Sequence, residues 1–129
     1  MSKKAYQPVY LDGESLSLEQ LITVVQHPEI PLRISEKAKK RMKLSRDWVD
    51  TVQQEGTPVV YGINTGFGSK ANVSISKEKL KDLQRNLIMS HSTGLGDPFP
   101  IPVVRAAMIM RANTLAKGYS GVRVDLVET

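Results

Sequence analysis

The chain has 129 residues, 40% of them apolar and 5% aromatic, so it is one domain or part of one, and wholesale disorder is excluded. The net charge of +5 is local: Lys37, Lys39, Lys40, Arg41, Lys43 and Arg46 hold six of the eighteen basic residues, no aromatic side chain interleaves them and no nucleic-acid motif accompanies them, so a solvated helix face is expected and a nucleic-acid partner is not. The absence of cysteine excludes disulfides and thiolate metal sites, no apolar run approaches the roughly 20 residues that span a bilayer, and the first eight residues lack a signal-peptide core, which leaves the cytoplasm as the expected compartment.

Val9-Tyr10-Leu11 reads as a short extended segment ended by the Asp12-Gly13 turn signal. Ser17 and Gln20 have capping-box spacing, and Leu18, Leu21, Ile22 and Val25 form the apolar face of the helix that follows, which His27-Pro28 ends. Ser35 caps a second helix, in which Ala38, Met42, Ser45, Val49 and Val52 recur at helical spacing and Gly56 occupies the C-terminal position. Val59-Val60-Tyr61 reads as a short strand leading into a glycine loop that residues 73–76 close. The next helix starts near Ser76, with Leu80, Leu83 and Leu87 on one face and His91 one turn beyond Leu87. Gly94 to Pro100 breaks it. A long helix is expected from about Pro102 to Lys117, with Val104, Met108, Arg111 and Leu115 on one face, Ala107 beside them and Gly118 as its stop. A last helix is expected from Ser120, with Val122, Leu126 and Val127 starting an uncovered apolar stripe.

Two groups in this layout can move protons. Tyr61 sits at the head of Tyr61-Gly62-Ile63-Asn64-Thr65-Gly66-Phe67-Gly68, where three glycines within seven positions let the backbone approach a ligand closely. A strand-end tyrosine more often buries its ring. As a base it needs surroundings that stabilise its anion, because a free phenol ionises near pH ~10. His91 ends a helical stripe, where a histidine is more often a core or helix-end residue than a ligand. The loop has neither the order nor the spacing of a phosphate cradle. His27, beside Pro28, reads as a surface residue, and two separated histidines without a carboxylate pattern make no metal site.

Tyr61 to Gly68, Leu83-Gln84-Arg85-Asn86-Leu87, Ser90-His91 and the run Arg111 to Arg123 together resemble the N-terminal part of the aromatic amino acid ammonia-lyases, most closely the histidine-specific members. The resemblance covers nearly the whole chain and is clearest from Leu16 onward. It implies a mainly α chain with short β-strands, the N-terminal part of an ammonia-lyase-like helical fold. It implies an enzyme that eliminates ammonia from an aromatic L-amino acid, most closely L-histidine to urocanate, with an electrophilic methylidene-imidazolone ring made from an internal Ala-Ser-Gly. It implies Tyr61 as the catalytic base, His91 as the contact to the substrate side chain, and Gly68 close to the substrate.

No Ala-Ser-Gly occurs in the chain; Ser120-Gly121 follows Tyr119 and belongs to a different motif of the family. The expectation is therefore that residues 1–129 are one segment of a lyase subunit, ending within a helix before the central helix bundle. This segment would be inactive alone and complemented by the remainder of the lyase polypeptide or by a homo-oligomer, the family's tetramer. An aromatic amino acid 2,3-aminomutase, or a non-catalytic interaction module, is the alternative.

Overall fold

The computed structural model describes residues 6–129; the first five, part of the stretch read above as lacking a signal-peptide core, lie outside the described residues. The described residues form two compact units, one of residues 6–46 with Pro98–Thr129 and the other Asp47–Asp97.

In the first unit, β1 (Val9–Leu11) pairs in parallel with β2 (Leu32–Ile34), Val9 opposite Leu32 and Leu11 opposite Ile34. The β2 strand is a finding; with Pro31 before it and a charged Arg33 inside, its three residues carry too little alternation to announce a strand. Helix α1 (Leu18–Gln26) crosses between the strands and begins with the expected capping box: Ser17 Oγ accepts from Gln20 N at 3.1 Å and Gln20 Oε1 accepts from Ser17 N at 2.9 Å. Its buried face is rotated from the expected one. Val24 is buried and Leu21 and Val25 pack beside it, while Leu18 and Ile22 face outward.

Helix α2 (Glu36–Glu55) starts in this unit, with Ser35 Oγ accepting from Ala38 N at 3.2 Å. Helix α4 (Ile101–Leu115) packs on α1, and Arg105 Nε donates to Val24 O at 3.1 Å. The expected face of α4 is also corrected. Ile109 and Leu115 are buried and Ala112 packs beside Ile109, whereas Val104, Ala107, Met108 and Arg111 are exposed. Residues 101–110 are apolar almost all round, so spacing alone has no polar face to fix the rotation.

Two apolar clusters form this unit's core. One gathers Leu11, Val24, Ile30 and Ile109; the other gathers Ile34, Ala38, Met42 and Ala116. Helix α5 (Val124–Glu128) begins four residues later than expected, and Val122, Val124 and Val127 pack on the second cluster. The expectation that Val122 and Val127 lie uncovered is therefore wrong; Leu126 alone of the three is exposed.

The second unit holds the rest of α2, a loop, and α3 (Lys77–His91). Val49 and Val52 are buried on α2, and Gly56 N donates to Val52 O at 2.9 Å where the helix stops. Leu80, Leu83 and Leu87 form the half-buried face of α3. Among the described residues no helix is long and apolar enough to cross a membrane, and no group of three or more His, Asp or Glu side chains could hold a metal ion.

Candidate active site

The expected strand at Val59-Val60-Tyr61 is a turn. Val60 O accepts from Ile63 N at 3.1 Å and from Asn64 N at 3.2 Å, so the backbone groups that a strand would offer sideways are used locally. Asn64 holds the turn shut. Its side chain is 2% exposed, its Oδ1 accepts from Val60 N at 2.7 Å, and its Nδ2 donates to Pro58 O at 2.9 Å and to Gly56 O at 3.3 Å. Thr65 beside it is fully buried; its Oγ1 accepts from Gly62 N and donates to Gly66 O. Among the described residues these are the buried polar side chains. Sequence reasoning passed over both. The only signal was an Asx residue inside a glycine-rich turn, where a short amide can replace backbone partners.

The far side of the loop closes as expected. Thr65 bridges Ser74 in antiparallel fashion, Gly66 N donates to Val73 O at 3.1 Å, and Ile75 N donates to Asn64 O at 2.9 Å. Two glycines are required by geometry. A Cβ on Gly66 would stand 2.7 Å from Lys70 Cβ and 2.9 Å from Lys70 O, so no larger residue fits without movement. Gly68, first residue of a 3₁₀ turn over Gly68–Lys70, has φ +57° with open space where a Cβ would point.

Tyr61 stands on this closed turn and is 63% exposed, which contradicts the ring-burying reading of a strand-end tyrosine. Its ring meets Phe67 edge to face, centroids 5.8 Å apart, and Phe67 immediately precedes Gly68. Tyr61 and Gly68 therefore belong to one small structure, an outward phenol joined through Phe67 to a glycine with open space where a Cβ would point. His91 is in the same unit and is exposed, not a core histidine. Its Nδ1 lies 2.9 Å from Leu87 O and 3.0 Å from Ser90 Oγ, so its polar contacts are with its own helix end; among the described residues no hydrogen bond joins it to the loop.

Two other motif residues do structural work. Asn113 Oδ1 accepts from Gly13 N at 2.9 Å, across 100 residues of sequence, and Gly121 N donates to Ser45 Oγ at 3.0 Å. Three residues of the basic cluster do similar work. Arg41 donates to Asp12 O at 2.6 Å, Arg46 donates to Gly121 O at 3.1 Å, and Lys39 lies 2.7 Å from Glu128 and 3.3 Å from Glu36. Glu128, then Glu36, raises the Lys39 ammonium above its ordinary value by favouring the charged form. A half-solvated, internally bonded helix face fits these contacts better than a phosphate-binding strip.

The family model for aromatic amino acid lyases matches residues 16–129. The chain is 52% identical over 121 residues to a histidine ammonia-lyase of Caldanaerobacter subterraneus subsp. tengcongensis, covering 94% of this chain and 23% of that one. Among solved structures it is similar to a histidine ammonia-lyase from Trypanosoma cruzi (TM-score 0.82, 35% identity, covering 95% of this chain and 23% of that one). It is also similar to a tyrosine aminomutase from Streptomyces globisporus (TM-score 0.83, 34% identity, covering 94% and 23%). The chain thus spans about 23% of the length of these relatives.

Proposed function

The chain belongs to the aromatic amino acid lyase family, and from that premise we propose that it supplies one side of the active site of an ammonia-lyase acting on L-histidine. The observation that carries this reading is Tyr61, a phenol held outward on a turn that buried Asn64 closes, joined through Phe67 to Gly68 and the open space there. Preference for histidine rests on the identity to a histidine ammonia-lyase and on an exposed imidazole at His91.

In this reading the Tyr61 oxygen, acting as the base, accepts the weakly acidic proton from the substrate β-carbon while the C–N bond breaks and ammonia leaves. The closed turn fixes the backbone that carries that oxygen, which lowers the entropy cost of reaching a reactive arrangement. Gly68 leaves room for the substrate to come close to the main chain, and His91 meets the substrate ring. The family's methylidene-imidazolone ring supplies an electrophile that makes the amine a better leaving group. No Ala-Ser-Gly occurs in these 129 residues, so none of them becomes that ring. We assign it to the remainder of a lyase polypeptide, residues 1–129 being one segment of the subunit, with the family's homotetramer as the working assembly and the cytoplasm as its place. The structural likeness to a tyrosine aminomutase favours a second reading, in which ammonia adds back to the arylacrylate before release.

The test is reconstitution. The chain alone, given L-histidine, L-tyrosine or L-phenylalanine, should form no arylacrylate. The lyase assembled from this chain and the remainder of a lyase polypeptide should form urocanate from L-histidine. A β-amino acid product would select the second reading, and turnover by the isolated chain would refute the division of labour.

A further inference from the structure

We infer that Ser90 and the Leu87 carbonyl hold His91 in the tautomer protonated on Nδ1, which makes its outer nitrogen, Nε2, a hydrogen-bond acceptor and selects substrates whose ring carries a hydrogen-bond donor. The selection of substrates rests on the proposal above that His91 meets the substrate ring; the tautomer does not.

The carbonyls of a helix's last turn lack helical partners, and polar side chains can fold back toward them and their neighbours. At the end of α3 three consecutive residues do so. Ser90 Oγ donates to Leu87 O at 2.9 Å, Ser92 Oγ donates to Ile88 O at 2.6 Å, and His91 Nδ1 lies 2.9 Å from Leu87 O. A carbonyl oxygen has no hydrogen to give, so the contact to Leu87 O requires the hydrogen to be on Nδ1. With that hydrogen on Nδ1, Ser90 takes the complementary role. Its hydroxyl hydrogen goes to Leu87 O, and what it turns toward Nδ1, 3.0 Å away, is a lone pair. Both neighbours of Nδ1 are acceptors. In a neutral imidazole the second nitrogen then carries the lone pair, and His91 is exposed, leaving that lone pair available to a ligand.

An acceptor at this place discriminates by chemistry, not by size. An imidazole N–H or a phenol O–H satisfies Nε2. A benzene ring leaves it unpaired, and a pyridine nitrogen faces it lone pair to lone pair. Ser90 is thus a positioning residue, acting on the substrate only through His91.

Long-range ¹H–¹⁵N correlation spectra of the full chain labelled with ¹⁵N-histidine, recorded where the ring is neutral, read the tautomer directly; His27→Gln assigns the second histidine. The expected result is a protonated Nδ1 and a bare Nε2 for His91. In Ser90→Ala, loss of one of the two acceptors should shift the tautomer ratio toward Nε2–H by roughly 3- to 10-fold, the worth of one hydrogen bond. A predominant Nε2–H form in the parent chain overturns the inference, and an unchanged ratio in Ser90→Ala removes Ser90 from it. In the assembled lyase, kcat/KM for 3-(4-pyridyl)alanine should be no better than for phenylalanine, and both should fall roughly 10- to 100-fold below L-histidine. A pyridyl substrate that outperforms phenylalanine would make His91 a donor and refute the acceptor role. Should the assembly turn over neither L-histidine nor any of these amino acids, the lyase reading fails, while the spectrum still decides the tautomer.

Discussion

Replacing Asn64 by aspartate changes one NH₂ into an oxygen and leaves shape almost untouched. The surviving Oδ1 still accepts from Val60 N, but the new oxygen faces Gly56 O and Pro58 O, two carbonyls that previously accepted from Nδ2 at 3.3 and 2.9 Å. Two donor bonds become acceptor-against-acceptor contacts at a side chain that is 2% exposed. Losing two bonds removes about 1 kcal/mol each, and the buried new oxygen, left without a donor, adds about 1–3 kcal/mol. The aspartate avoids a buried charge by taking up a proton, which restores at most one donor. A net loss of about 2–4 kcal/mol follows, a large share of the roughly 5–15 kcal/mol that holds an ordinary domain together. Asn64→Asp should therefore lower the urea midpoint and speed amide exchange at Val60, Gly66 and Ile75, the donors that depend on the turn. The loss should grow as pH rises and the aspartate ionises. A variant within about 0.5 kcal/mol of the parent, the ordinary range of a surface change, with unchanged exchange at those three amides, would mean that Asn64 does not hold the loop.

Gly66→Ala should cost about 1–3 kcal/mol of stability, because its Cβ would meet Lys70 at 2.7 Å and the loop must move to admit it; an unchanged thermal midpoint would contradict the close approach. Asp12 accepts hydrogen bonds from Ser15 N, Glu14 N and Ser15 Oγ, which hold its carboxyl down at about 2 from an ordinary 3.8. Its folded-state pKa is lowered, so its contribution to stability is fully present above about pH 4 and fades as pH falls toward 2. Solvent screening keeps the effect small. Comparing parent and Asp12→Asn unfolding midpoints, the gap should close across that window, and a gap independent of pH would refute the assignment. In the assembled lyase, His91→Phe should raise kcat/KM for phenylalanine relative to histidine, since an apolar ring leaves no acceptor unpaired; an unchanged order of preference would take His91 out of the site.

Capping chemistry made much of the fold legible. Ser17-to-Gln20, Ser35 and Gly56 mark helix ends through their own hydrogen bonds, and the helices lie within a few residues of where those signals put them. Rotation was harder to read. Helix α4 carries apolar residues all round, and the side that packs on α1 is set by tertiary contact, not by pattern. Strand propensity misled at Val59-Val60, where β-branched residues enter a turn because Asn64 captures the Val60 N–H. In the site, residue chemistry alone left Tyr61 and His91 open to a structural reading, and family resemblance raised them to candidates. Their exposure, the turn under Tyr61 and the contacts that orient His91 depend on backbone carbonyls and amides, which sequence does not display.

The proposal that Tyr61 is the base that takes the substrate's proton is tested most directly by Tyr61→Phe in the lyase assembled from this chain and the remainder of a lyase polypeptide. The substitution keeps the ring against Phe67 and deletes only the oxygen. Formation of urocanate from L-histidine, followed by absorbance, should show kcat reduced about 10²- to 10⁴-fold, the usual contribution of a general base, with KM changed little. A kcat within a few-fold of the parent would contradict the account and return Tyr61 to a packing role on the loop.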